Sequence, residues 1–133
     1  QPEPLDRPIG DALLVPHRSY LNALQRPLVE HGLIKGLAHI TGGGLIDNVP
    51  RVLPADCDAA ITLGSWPMPP LFQLVQDVAT SMPIEELYRT LNMGIGMVVV
   101  VDEARVDELR SSINEPTWII GSIVAGDKRV QLS

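Results

Sequence analysis

Apolar positions fall into blocks whose spacing changes along the chain, and each change of spacing predicts a new element. Tyr20, Leu24 and Leu28 recur every four residues, which predicts a helix over 18–31 with Pro27 bending or splitting it and Gly32 ending it. Upstream, Ala12 to Val15 is a short apolar run closed by Pro16, the length of an edge strand. Leu37 to Thr41 reads as a strand with polar His39 at its centre. Three glycines follow it, then Leu45 to Val49, a short helix ahead of Pro50. Ala59 to Leu63 predicts a second strand. Beyond Pro67, Pro69 and Pro70, the side chains of Leu71, Leu74, Val75 and Val78 fall on one helix face at i, i+3, i+4 and i+7. Pro83 opens another helix, with Glu85 and Glu86 in the first turn, where the helix dipole favours them, and Leu87 and Leu91 inside.

Ile95 to Val101 is rich in β-branched residues and apolar on both faces, which predicts a central strand covered on two sides. Asp102 is placed to cap a helix whose inner face is Val106, Leu109 and Ile113. Trp118 to Val124 predicts a further strand, and Gly126-Asp127-Lys128 a turn into Arg129 to Leu132. Residues 1–10, with Pro2, Pro4 and Pro8, read as a linker, and 11–133 as one domain. The order predicts an α+β fold, a mixed β-sheet with helices on both faces, related to a ferredoxin-like unit with extra helices.

Composition narrows the partners. Ten Lys and Arg against sixteen Asp and Glu leave a formal charge of -6, so the chain lacks the basic surface that would draw nucleic acid or an anionic membrane. The longest apolar run, Met97 to Val101, is far shorter than the roughly twenty residues of a membrane helix. A single cysteine, Cys57, excludes an intrachain disulfide and fits a cytoplasmic setting. Asp56 and Asp58 flank it, and their charges oppose a thiolate. His17, His31 and His39 have no metal-ligand spacing, and no metal site is expected.

The stretch with most chemistry runs from His39 to Arg51. Three glycines at a strand-to-helix junction let successive backbone N–H groups converge on one anion with no side chains in the way; alternatively they make only a tight turn. The pattern is neither a dinucleotide fingerprint nor a P-loop. His39 is a candidate acid, base or charged donor beside a phosphate, or else a hydrogen-bonded strand residue. Arg89, Asn92 and Gly94 bracket a helix-to-strand turn where they could orient an anion or simply cap the helix.

In order and spacing, three segments resemble the C-terminal domain of the phosphoribosylformylglycinamidine cyclo-ligase (aminoimidazole ribonucleotide synthetase) family: His39 to Arg51; Trp66-Pro67 with Pro70 and Phe72; and Tyr88-Arg89-Thr90-Leu91-Asn92-Met93-Gly94-Ile95-Gly96-Met97. Gly10 to Pro16 with Arg18 and Tyr20, and Gly121 to Val124 with Arg129-Val130, resemble the two ends of that domain.

The resemblance implies an ATP-dependent ring closure in purine biosynthesis. The formyl oxygen of formylglycinamidine ribonucleotide is phosphorylated, and an amidine nitrogen then displaces phosphate to form aminoimidazole ribonucleotide. It further implies a longer, homodimeric enzyme whose N-terminal domain holds most of the ATP and Mg2+ site. This chain would then be the substrate-side domain, with no cofactor of its own and inactive alone. Carried over by position, Thr41, Gly42, Gly43 and Gly44 would cradle phosphate, His39 would be the catalytic candidate, Asn48 and Arg51 would support or face the cleft, and Arg89 and Asn92 would line it. Two positions depart from the family: His17 stands where Thr is usual, and Asn22 where Lys is common. The rival expectation is a stand-alone phosphate-binding or interaction module of the same superfamily without catalytic activity.

Overall fold

A computed structural model describes residues 5–29 and 32–133. Six α-helices and five strands alternate among these residues: α1 (Ile9–Leu13), α2 (Leu21–Val29), β1 (Ile34–His39), α3 (Gly44–Asn48), β2 (Cys57–Ile61), α4 (Pro70–Val78), α5 (Ile84–Thr90), β3 (Met97–Val101), α6 (Val106–Ser112), β4 (Gly121–Ala125) and β5 (Val130–Leu132). Short 3-10 turns at Val49–Val52 and Glu103–Arg105 lead out of α3 and into α6. The α+β class predicted from the sequence is the one observed.

The strands form two sheets. β1 and β3 make an antiparallel ribbon, with His39 opposite Met97 and Ala38 opposite Val98. The other sheet is mixed, in the order β4-β2-β5, with β2 antiparallel to β4 and parallel to β5. The expectation of a central strand over 95–101 is therefore corrected: β3 has one strand neighbour among the described residues. Its two-sided apolarity has a different cause. Val98 packs into a core built on Ile40, Leu45, Val49, Trp66, Leu87 and Met93, while Met97, Val99 and Val101 pack into a second core around Leu24, Leu33, Leu109 and Ile113. Alternation along a strand sends successive side chains to opposite faces, so a ribbon between two cores needs apolar residues throughout.

Three further expectations change. Ala12 to Val15 is not a strand: its first residues close the helical turn α1, which follows Pro8 and is tied by Ala12 N–H to the Pro8 carbonyl. Proline before a first turn presets helical entry, and Asp11 lies in that turn. On α4 the core-facing set is Phe72, Val75 and Ala79, and Val78 is 76% exposed, so the face is rotated from the one predicted. Asp102 makes no side-chain cap; its carboxylate pairs with Lys35 Nζ at 3.2 Å instead. Among the described residues helix α2 runs unsplit through Pro27, which is buried, as is Leu24. His31 lies outside the described residues. Leu109 and Ile113 are buried as expected.

Candidate functional site

The glycine loop joins β1 to α3, and each glycine has a different physical basis. Gly43 has φ +102° and Gly44 φ +54°, both in the left-handed region that L-residues enter only with strain. Gly44 is also fully packed: a Cβ there would lie 2.0 Å from the carbonyl oxygen of Tyr88 and 2.7 Å from that of Leu91, so only glycine lets α3 seat on the end of α5. Gly42 has neither constraint. Its φ lies outside that region and nothing approaches within 4 Å of its Cβ position. Folding thus explains two of the three glycines.

The loop's carbonyl groups turn toward the protein. Asn48, 3% exposed, donates from Nδ2 to the carbonyl oxygens of Gly44 (2.9 Å), Gly42 (3.3 Å) and Thr41 (3.4 Å). Thr41 O also accepts from Gly44 N–H, and Gly43 O from Asp47 N–H. The N–H groups of Gly42 and Gly43 donate to no acceptor among the described residues, and Thr41 and Gly42 are exposed. Asn48 thus supports the loop from behind, and its side chain is not free to reach a cleft.

Charge gathers around Asp47, a residue that the sequence reading passed over although it lies inside the quoted segment. Arg89 Nε sits 3.4 Å from Asp47 Oδ1, and Arg89 Nη1 lies 3.7 Å from Glu86 Oε2. Arg51 Nε donates to the Asp47 carbonyl at 3.1 Å. All of these side chains are exposed, and such pairs contribute little to stability, so two guanidinium groups stand beside the loop at small energetic cost to redirect. Asn92 is half-buried and committed locally: its Oδ1 accepts from Gly94 N–H at 3.1 Å. That turn carries Met93 at φ +48° and Gly94 at φ +93°, and Trp66 Nε1 holds it by donating to the Met93 carbonyl at 2.9 Å. A Cβ at Gly94 would strike Pro69 Cδ at 2.5 Å. The Trp-Pro segment and the Asn-Met-Gly segment are therefore two halves of one structural clamp.

His39 ends β1 and is exposed. Its Nε2 lies 2.6 Å from Nε2 of His17, and the Tyr20 ring stands edge-on to both imidazoles with centroids 6.3 Å away. Tyr20 reaches the ribbon because Gly96 has no side chain: a Cβ there would overlap the Tyr20 hydroxyl. Neither His17 nor Tyr20 was singled out as a site residue from the sequence. Cys57 is half-buried, and burial first, then the Asp56 charge, pushes its thiol up, against a nucleophilic role. No group of three or more His, Cys, Asp or Glu among the described residues could hold a metal ion, and no described helix is long and apolar enough to cross a membrane.

An α+β domain with this clamped glycine loop is matched along residues 1–133 by the family described as AIR synthase related protein, C-terminal domain, and the chain belongs to that family. Among curated relatives, it is 45% identical over 127 residues to the phosphoribosylformylglycinamidine cyclo-ligase of Bifidobacterium longum (strain DJO10A), covering 93% of this chain and 36% of that protein. The enzymes of the same name from Syntrophotalea carbinolica (48% over 124 residues; 91% of this chain, 35% of that protein) and Geobacillus kaustophilus (46% over 127 residues; 93% and 36%) are similarly close. The chain spans little more than a third of the length of these relatives.

Proposed function

We propose that this chain is the substrate-side, C-terminal domain of an ATP-dependent phosphoribosylformylglycinamidine cyclo-ligase of cytoplasmic purine biosynthesis, and that Thr41 to Gly44 receive a phosphate group. The observation that carries the reading is Gly42. The fold does not require glycine there, its surroundings are open, and its N–H and that of Gly43 have no acceptor among the described residues. A backbone kept bare beside two unpaired amides suits close approach of an anion. Arg51 and Arg89 place two guanidinium groups by Asp47 at the edge of the loop, where Asp47 and Glu86 balance them until an anion displaces those exposed pairs, and His39 starts the same segment. The names of the relatives support the reaction class.

In this reading the complete enzyme phosphorylates the formyl oxygen of formylglycinamidine ribonucleotide with ATP, and the amidine nitrogen closes the imidazole as phosphate leaves. Phosphoryl transfer of that kind needs positioned metal ligands. In this reading Mg2+ and most of the ATP site belong to the N-terminal part of a homodimeric enzyme, and this chain alone is inactive. The test is an assay of the complete protein with formylglycinamidine ribonucleotide, ATP and Mg2+, following aminoimidazole ribonucleotide and ADP. Equal amounts of both products support the reading. A folded complete protein that makes neither overturns it and favours the stand-alone binding module.

A further inference from the structure

The two imidazoles at the head of the glycine segment come from positions 22 residues apart, yet their Nε2 atoms lie 2.6 Å from each other with ring centroids at 4.7 Å. A contact of that length holds one hydrogen. Two bare lone pairs repel, and so do two N–H groups, so one ring donates and the other accepts. In the neutral pair one ring therefore carries its proton on Nε2 and the other on Nδ1. One added proton leaves a single shared N–H with both Nδ1 atoms protonated. A second sets two N–H groups head to head and opens the contact.

The surroundings hold the pair without competing for that hydrogen. Tyr20 is edge-on to both rings and anchored over Gly96, and the residue opposite His39 on β3 is Met97, which has no charge. Arg18, next to His17 in the chain, places its guanidinium 5.9 Å from the Tyr20 ring centre and pairs with Glu115. Both histidines are exposed, so the contact adds little to folding; what it governs is where the proton of His39 sits.

We infer that His17 is a positioning residue for His39, fixing the protonation pattern that His39 presents two residues ahead of Thr41. The inference rests on the reading of His39 as a site residue, and its test separates the two. Imidazole 15N NMR spectra, which report the ring tautomer, and kcat/KM are measured on the complete protein and on its His17→Thr and His17→Gln variants. The His39 ring is expected to change its tautomer populations when His17 is replaced by Thr, because the Nε2 partner that fixes them is gone. His17→Thr is expected to lower kcat/KM about fivefold near neutral pH, the worth of one hydrogen bond. A glutamine amide reaches the Nε2 position, so His17→Gln recovers most of the rate. Unchanged His39 ring shifts in His17→Thr overturn the pairing, and changed shifts with an unchanged kcat/KM overturn the positioning role. If the wild-type protein has no cyclo-ligase activity, the proposed function falls while the NMR spectra alone decide whether His17 sets the tautomer of His39.

Discussion

Gly44 and Tyr88 meet backbone to backbone: the space a Cβ would need at Gly44 is already taken by the Tyr88 carbonyl oxygen, 2.0 Å from it. This contact fixes the glycine loop to the end of α5, and so fixes where Arg89 emerges beside it. Replacing Gly44 with Ala must displace one of two buried backbones and also strain a left-handed φ. The expected cost is about 2–5 kcal/mol, read as a lower urea midpoint for the 133-residue chain. A midpoint within error of wild type contradicts the packing described.

Asn48 is predicted to be a structural residue. Asn48→Ala removes the donor from three loop carbonyls and should cost about 1–3 kcal/mol by denaturant titration. Asn48→Asp should be worse near neutral pH, because a carboxylate accepts and cannot donate to those oxygens. An Asn48→Ala variant of full stability but impaired substrate binding would instead make Asn48 a ligand.

The clamp of the neighbouring turn makes a parallel prediction. Trp66→Phe keeps most of the apolar contact and removes only the Nε1–H that reaches the Met93 carbonyl, leaving that oxygen buried and unmatched. The loss should be about 1–2 kcal/mol.

Asp58 sets a pH dependence. The hydrogen bond from Gln131 Nε2, then those from the Arg129 and Asp127 N–H groups, hold its carboxyl below the ordinary carboxylate range. The unfolded chain takes up this proton more readily than the folded one. The stabilisation is therefore complete above the ordinary value, about pH 4, and is lost as pH falls through the lower folded value. Urea midpoints measured from pH 7 down to pH 2.5 should show a steeper acid fall for wild type than for Asp58→Asn. Gly126→Ala should imitate the acid-destabilised state at all pH values, since a Cβ there would lie 2.0 Å from Asp58 Cγ.

Much of this architecture is legible in the sequence where the signal is local. The prolines before α4 and α5, the acidic first turn of α5, the inner face of α6 and the glycine junction all follow from spacing and backbone preference. What is not legible is lateral. A strand apolar on both faces reports that both faces are covered, and it is silent on whether another strand lies beside it, so β3 reads as central although it has a single neighbour. On α4 the apolar residues Leu71, Phe72, Leu74, Val75 and Val78 spread over more than one face and leave the orientation undecided, and contact with the core selects Phe72 and Val75 over Val78. The site divides in the same way. The loop, Arg51 and Arg89 lie in recognisable segments, whereas the meeting of His17 with His39 depends on how α2 enters beside the ribbon, which no short-range pattern encodes.

The most direct test of the phosphate cradle uses Gly42, because it separates function from folding. Gly43→Val cannot do so: it strains φ +102° and brings a Cβ to 3.0 Å from Asp47 Cβ. At Gly42 the space is open and φ is not left-handed, so Gly42→Val should change stability by about 0.5 kcal/mol or less. In the complete protein, kcat/KM for formylglycinamidine ribonucleotide should fall about 10–100-fold as the branched side chain blocks approach to the loop amides. Wild-type kcat/KM in a Gly42→Val enzyme would contradict the cradle and leave the three glycines as a turn.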